Sequence, residues 1–155
     1  MPTDSTALAT LLEHATAARD EATAQLYLML EQVRRFSTQR EQLLAYRRDY
    51  EARWSTQFRD KAAIEVVHSY RSFIERLNQA LEQLDRQTRQ AEQQAQEARE
   101  RLVERETRVA SVKKLIERRV GERQRTLAIR DQKAADEIAA LKHWHARPSM
   151  AAANH

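Results

Sequence analysis

Two histidines near the end of the chain, His143 and His145, are the pair that first suggests a metal site. On a helix, residues two apart point to different faces, whereas ligands four apart converge. His14 and His68 stand alone, so neither a metal nor any other cofactor is expected. The 155 residues include no cysteine, which removes disulfides and thiolate–metal chemistry. A single glycine, Gly121, cannot build the glycine-rich loop that cradles a nucleotide phosphate. The carboxylates are interleaved with Arg and Lys at helical spacing, the pattern of a solvated face rather than of an acid–base dyad. No catalysis and no small-molecule substrate are expected. What remains is the chemistry of non-covalent recognition.

Two groups of residues offer it. Gln39, Leu43, Tyr46 and Tyr50 are spaced by four, three and four and share a helical face. Tyr70, Phe73, Leu77, Ala80 and Leu84 do the same later in the chain, with Trp54 and Phe58 between the two rows. Leu43, Tyr50, Leu77 and Leu84 are expected in a buried seam. Tyr46 and Phe73 fall just off it, where an exposed ring suits an interface; plugging the end of a coiled coil is the equal alternative. The second group is basic. Residues 118–147 hold Arg118, Arg119, Arg123, Arg125, Arg130, Lys133, Lys142 and Arg147 against Glu122, Asp131, Asp136 and Glu137, a net +4. The whole chain is also +4, so residues 1–117 sum to zero. A pI near 9.7 raises nucleic acid as a partner. Basic residues alternate with acids, however, and no aromatic platform accompanies them, so nucleic acid is not expected.

Helices must position both groups. From Val67 every seventh residue runs Val67, Ile74, Leu81, Thr88, Ala95, Leu102, Val109, Ile116, with Leu77, Leu84, Ala91, Ala98, Arg105 and Val112 as the companion row. An a/d pattern held for about seven heptads without Gly or Pro is that of a coiled-coil helix. Leu8, Ala15, Ala22, Met29, Phe36, Leu43 and Tyr50, with Leu12, Arg19, Leu26, Val33, Arg40, Arg47 and Trp54, form an earlier seam of the same kind. Seams this narrow need another helix to cover them, and each is the obvious cover for the other. Only 6% of residues are aromatic and 32% charged, and the two prolines, Pro2 and Pro148, lie near the ends. The expected fold is all-α: a long antiparallel two-helix coiled-coil hairpin whose second helix is the longer. The first helix is expected over 4–55, capped by Asp4 or Ser5, and the turn over 56–63, where Ser55, Thr56 and Asp60 can cap locally. The paired part of the second helix follows over 64–117. The competing arrangement is one continuous rod of about 140 residues that dimerises.

A turn near residue 60 sets opposite each other residues whose numbers add to about 120. Leu8 is then expected beside Val112, and Asp4 beside Ile116. The first helix runs out near residue 117, and there the second changes character. Arg119, Arg123 and Arg130 take the heptad row, and Gly121 weakens the helix by about 1 kcal/mol relative to alanine. The apolar row restarts four residues out of phase as Val120, Leu127, Ala134 and Leu141, with Ile138 beside them. Residues 118–147 are expected to form an unpaired basic helical overhang, and 148–155 a disordered tail. The Gln- and Arg-rich stretch 83–96, with Ala91 and Ala95 at the seam, is expected to make a thin, locally flexible zone with little buried area. No run approaches the roughly 18 apolar residues of a membrane span. The first residues lack the regions of a signal peptide. A soluble, cytoplasmic protein is expected.

The run Gln39-x3-Leu43-x2-Tyr46-x3-Tyr50, then Tyr70-x2-Phe73-Ile74-x2-Leu77-x2-Ala80, then Asp131-Gln132-Lys133-x2-Asp136-Glu137 resembles the FliJ family of flagellar export proteins over nearly the whole chain. The resemblance implies a non-enzymatic component of the flagellar type III export apparatus, cytoplasmic and peripheral at the inner face of the membrane at the flagellar base, serving motility and chemotaxis. It implies a hairpin like the central stalk of rotary ATPases, with its terminal end inserted in the hexameric ring of the export ATPase. The tip-side face would contact the cytoplasmic part of the large export-gate membrane protein, and export chaperones would be further partners. By this resemblance the gate-binding face falls on Gln39, Leu43, Tyr46, Tyr50, Phe73, Leu77 and Ala80, with Leu84 next in the row, where some members are polar. The ring-facing role falls on Leu8–Leu26 and Arg118–Leu141, above all on Arg118, Arg119, Arg123, Arg125, Arg130, Asp131, Gln132 and Lys133. The alternatives are the equivalent stalk protein of a virulence-type secretion system, a basic coiled-coil nucleic-acid binder, and a plain homodimeric tether.

Overall fold

The computed structural model describes residues 2–58 and 63–146. They form α1 (Pro2–Arg53), a π-helical turn (Trp54–Phe58) and α2 (Ile64–Ala146), with no strand among the described residues. The fold is all-α with a longer second helix, 83 residues against 52.

The helix ends differ from the expected caps. α1 starts at Pro2, which places Asp4 inside the first turn, where its carboxylate favours the positive end of the helix dipole. At the other end Thr56 does not cap. Its hydroxyl donates to the Ala52 carbonyl at 3.0 Å, and the chain stays helical through Phe58. The start of α2 is tied by the Ala63 carbonyl, which accepts from the amides of Val66 and Val67 at 3.0 and 3.2 Å. Asp60, Arg147, Pro148 and the expected tail lie outside the described residues.

The chain divides into two compact units, Glu13–Val109 and Met1–Leu12 with Ala110–His155. In the first unit the helices pack antiparallel as a hairpin. Its buried side chains are Ala15, Leu77, Leu81, Leu84, Ala91, Ala95, Ala98 and Val109, every one a seam position of the heptad rows. Burying each leucine contributes about 1.5–3 kcal/mol, the alanines far less. Of the three arginines at seam positions of α1, Arg19, Arg40 and Arg47, none is buried, and the last two reach across to α2. Arg40 reaches Asp85 with Nε 2.6 Å from Oδ1, and Arg47 donates to the Asn78 amide oxygen at 2.8 Å. Their aliphatic stems line the seam while the charged heads stay wet.

These pairs also report the register. Tyr50 faces Tyr70 as expected, but Arg40 and Arg47 find partners roughly one helical turn further along α2 than a reversal near residue 60 dictates. In the second unit Asp4 and Leu8 share a groove with Ile116, and Asp4 lies 4.0 Å from Arg119. The helical path carries on through Phe58, three residues past the expected end of the first helix at residue 55.

In that second unit Val112 is buried, and Leu8, Leu12, Leu115 and Ile116 are half-buried. Beyond Ile116 every described residue except Gly121 is exposed. Gly121 has no positive φ, and a Cβ there would meet only the Arg125 guanidinium at 4.0 Å. Gly121→Ala therefore stabilises this part of α2 by about 1 kcal/mol. The gain is read as slower hydrogen exchange of the amides flanking residue 121; unchanged exchange would refute it.

Candidate functional site: two partner-binding surfaces

Five aromatic residues of the Glu13–Val109 unit, Tyr46, Tyr50, Trp54, Tyr70 and Phe73, form one run of ring contacts. Trp54 stacks on Tyr70 at 4.3 Å, Tyr70 on Tyr50 at 5.6 Å, and Tyr50 on Phe73 at 4.4 Å. Tyr46 closes the run, edge-on to Phe73 at 5.8 Å and 6.4 Å from Tyr50. Each such pair adds about 0.5–1.5 kcal/mol beyond the area it buries. The run pins the end of the seam where the polar cross-links stop. Phe58, expected to join it, has a side chain outside those described.

The residues expected to bind a partner here divide by exposure. Leu77 and Leu84 are buried and serve the seam. Leu43, Tyr50, Phe73 and Ala80 are half-buried and offer edges only; Phe73, read from the sequence as off the seam, is drawn in by a tilted ring contact with Tyr50. Gln39 is exposed, and Tyr46 is 51% exposed. A partner meeting this face touches Tyr46 and Gln39 first.

Tyr70 is electrostatically perturbed. Burial pushes its phenol above the ordinary tyrosine value, with Glu51 and then Tyr50 adding to the shift. The fold thus favours the neutral phenol. Stability from this group is intact below the free value of about 10 and is lost as pH rises through the higher folded value. The melting temperature is expected to decline in that alkaline range, less so in Tyr70→Phe. An identical decline in the variant would clear Tyr70 of the effect.

The second surface is the C-terminal part of α2. Arg118, Arg119, Arg123, Arg125, Arg130, Asp131, Gln132 and Lys133 are all exposed. Arg119 lies 4.0 Å from the Asp4 carboxylate, a wet pair of little energetic consequence, and Gln132 donates to Asp136 at 3.2 Å. Val120, Leu127, Ile138, Leu141 and Trp144 are exposed in the same stretch. Where α1 begins, Leu8, Leu12, Ile116 and Val120 line a groove of about 400 Å³ with Asp4, Arg119 and Arg123 among its polar residues.

Sequence reasoning missed that groove, which exists only because one helix begins where the other continues. It also missed the run Leu26–Leu30. Five consecutive apolar residues cannot all face one seam, and Tyr27 and Leu28 are left 73% and 66% exposed. Reading heptad positions alone passes over such a band. Among the described residues no three His, Cys, Asp or Glu converge as a metal site, and no helix is long and apolar enough to cross a membrane.

The chain matches the family model for the flagellar FliJ protein over residues 4–148. No curated protein and no solved structure gives a match.

Proposed function

Because the chain belongs to the FliJ family of flagellar proteins, we propose that it acts as a stalk joining the export ATPase ring to the membrane export gate, catalysing no reaction itself. The observation that carries this reading is the C-terminal part of α2. It is a long helix, basic and with an apolar row, almost every side chain of which is left to solvent. Such a helix is a docking element. Arg118, Arg119, Arg123, Arg125, Arg130 and Lys133 supply the charge for the ring, and Val120 and Leu127 the apolar contact. Binding an assembled hexamer better than free subunits favours the hexamer and raises turnover by mass action. Gln39 and Tyr46, with the edges of Leu43, Tyr50, Phe73 and Ala80, form the surface for the gate's cytoplasmic part. Export chaperones are the third class of partner, and the site of action is the cytoplasmic face of the membrane at the flagellar base.

The deciding experiment measures turnover and hexamer content of the cognate export ATPase with the full chain and with a chain ending at Glu117. Both quantities rise with the full chain and not with the truncated one. Failure of the full chain to change either, with helicity intact, would remove the stalk reading.

A further inference from the structure

The outer face of α1 departs from a solvated pattern at one place. Leu26 and Met29 are seam positions, and the direction midway between them is half a turn from the direction midway between Tyr27 and Leu28. Tyr27 and Leu28 therefore stand on the side of α1 turned away from α2, and they are 73% and 66% exposed. The side opposite a seam is ordinarily charged or polar. Here a ring and a leucine lie together, with the exposed Ala24 one turn before them.

Charges of opposite sign bracket this pair. Asp20 and Glu21 lie seven residues before Tyr27 and Leu28, and Arg34 and Arg35 lie seven residues after them. All four are exposed. Asp20 pairs with its neighbour Arg19 at 3.1 Å, a wet contact of little energetic consequence. Glu21 borders a groove with Arg101 and Arg105 but pairs with neither. Seven residues are two helical turns, so acids, apolar pair and bases follow one another along a single face. Read from its other end, that face runs base, apolar, acid. It is complementary to itself reversed. A parallel copy would set acid on acid, whereas an antiparallel one sets acid on base at both ends.

We propose that a second copy of this chain packs on this face, α1 against α1, antiparallel about a two-fold axis passing between the levels of Tyr27 and Leu28. The symmetry brings each flank of one helix against the same flank of the other, at residue numbers that add to about 55. Tyr27 meets Tyr27 of the second copy on one flank, and Leu28 meets Leu28 on the other. Asp20 meets the second copy's Arg34 beside the tyrosines, and Glu21 meets its Arg35 beside the leucines, each twice over. Ala24 admits the close approach and faces the second copy's Glu31, whose carboxylate can turn to Arg35 on its own helix. Within the Glu13–Val109 unit α2 lies on the opposite side of α1, so it does not obstruct the approach. The pairing uses no residue of the two surfaces assigned above, and it stands or falls apart from ring and gate binding.

Sedimentation equilibrium of the full chain tests it. The mass is expected to rise with concentration from 18.1 kDa towards its double. Tyr27→Ser with Leu28→Ser, both at exposed positions, holds the chain at 18.1 kDa with its helicity unchanged. Asp20→Arg with Glu21→Arg sets like charges opposite each other and weakens the dimer at least about tenfold. Arg34→Glu with Arg35→Glu does the same. In an equimolar mixture of these two charge variants every acid again meets a base, and the dimer returns, which a folding defect in either would not allow. The chain has no cysteine, so orientation is read directly. Chains carrying Ala17→Cys and chains carrying Thr38→Cys, when mixed, are joined to each other by a short bismaleimide. Two copies of either variant alone hold their thiols roughly 31 Å apart along the axis and are not joined. A mass that stays at 18.1 kDa up to about 1 mM would overturn the proposal. So would a dimer indifferent to the serine or the charge variants, or either cysteine variant cross-linking with itself as readily as with the other.

Discussion

Replacing Ala98 with glutamate lowers the stability of the Glu13–Val109 unit by about 3 kcal/mol and its melting temperature by roughly 12–20 °C. Ala98 is 1% exposed, and Ala91 and Ala95 are 3% and 4% exposed. A methyl group can be covered that fully only where the facing helix comes close. The side of α1 that meets this zone carries Ala22, which lies beside Arg101. A glutamate at Ala98 must force the helices apart or leave a carboxylate without water, and no buried polar partner waits for it. The same charge at the exposed Gln93 should change stability by no more than about 0.5 kcal/mol. Far-UV circular dichroism melts of the two variants decide the matter. Equal melting of both would mean that the alanine zone opens readily enough to hydrate a charge.

Tyr46→Ala is expected to weaken binding of the gate's cytoplasmic domain at least about tenfold while leaving the melting temperature and ATPase stimulation nearly unchanged. Tyr46 ends the run of rings and exposes half its surface, so the hairpin loses only two ring contacts with it. Tyr50→Ala is the contrast. It removes the ring that touches Tyr46, Tyr70 and Phe73 together, and costs about 2–3 kcal/mol of stability. Calorimetric titration with the gate domain and the ATPase assay are both required. Loss of gate binding and ATPase stimulation together in a Tyr46→Ala chain that keeps its helicity would show that the two surfaces do not act independently.

The seam was legible because its chemistry is periodic. Leu77, Leu81, Leu84, Ala91, Ala95, Ala98 and Val109 are buried where the heptad rows put them. The family was legible in the order and spacing of Tyr46, Tyr50, Phe73 and the Asp131-Gln132-Lys133 run, none of which is distinctive alone. Register was not legible. A seven-residue repeat pairs almost equally well after a shift of one turn, and the connection offers no Gly or Pro to fix where the chain reverses. The choice falls to contacts between residues distant in sequence, Arg40 with Asp85 and Arg47 with Asn78. Exposure within the aromatic group was legible only in part. Helical spacing places Tyr46 and Phe73 alike off the seam, but a ring can swing onto a neighbour, and Phe73 does so onto Tyr50.

The small residues at Ala91, Ala95 and Ala98 bear on how the hairpin carries load. Methyl groups form no deep knobs, so that stretch offers little friction against one helix sliding past the other. Resistance to axial shear is concentrated instead in the interlocked rings from Trp54 to Tyr46 and in the Arg40 and Arg47 cross-links. A pull along α1 is therefore borne at the aromatic end and not shared along the seam. Under rising force that end holds until it yields abruptly, after which the alanine stretch slips with little further resistance. Force spectroscopy would record this as a single rupture rather than a series of steps.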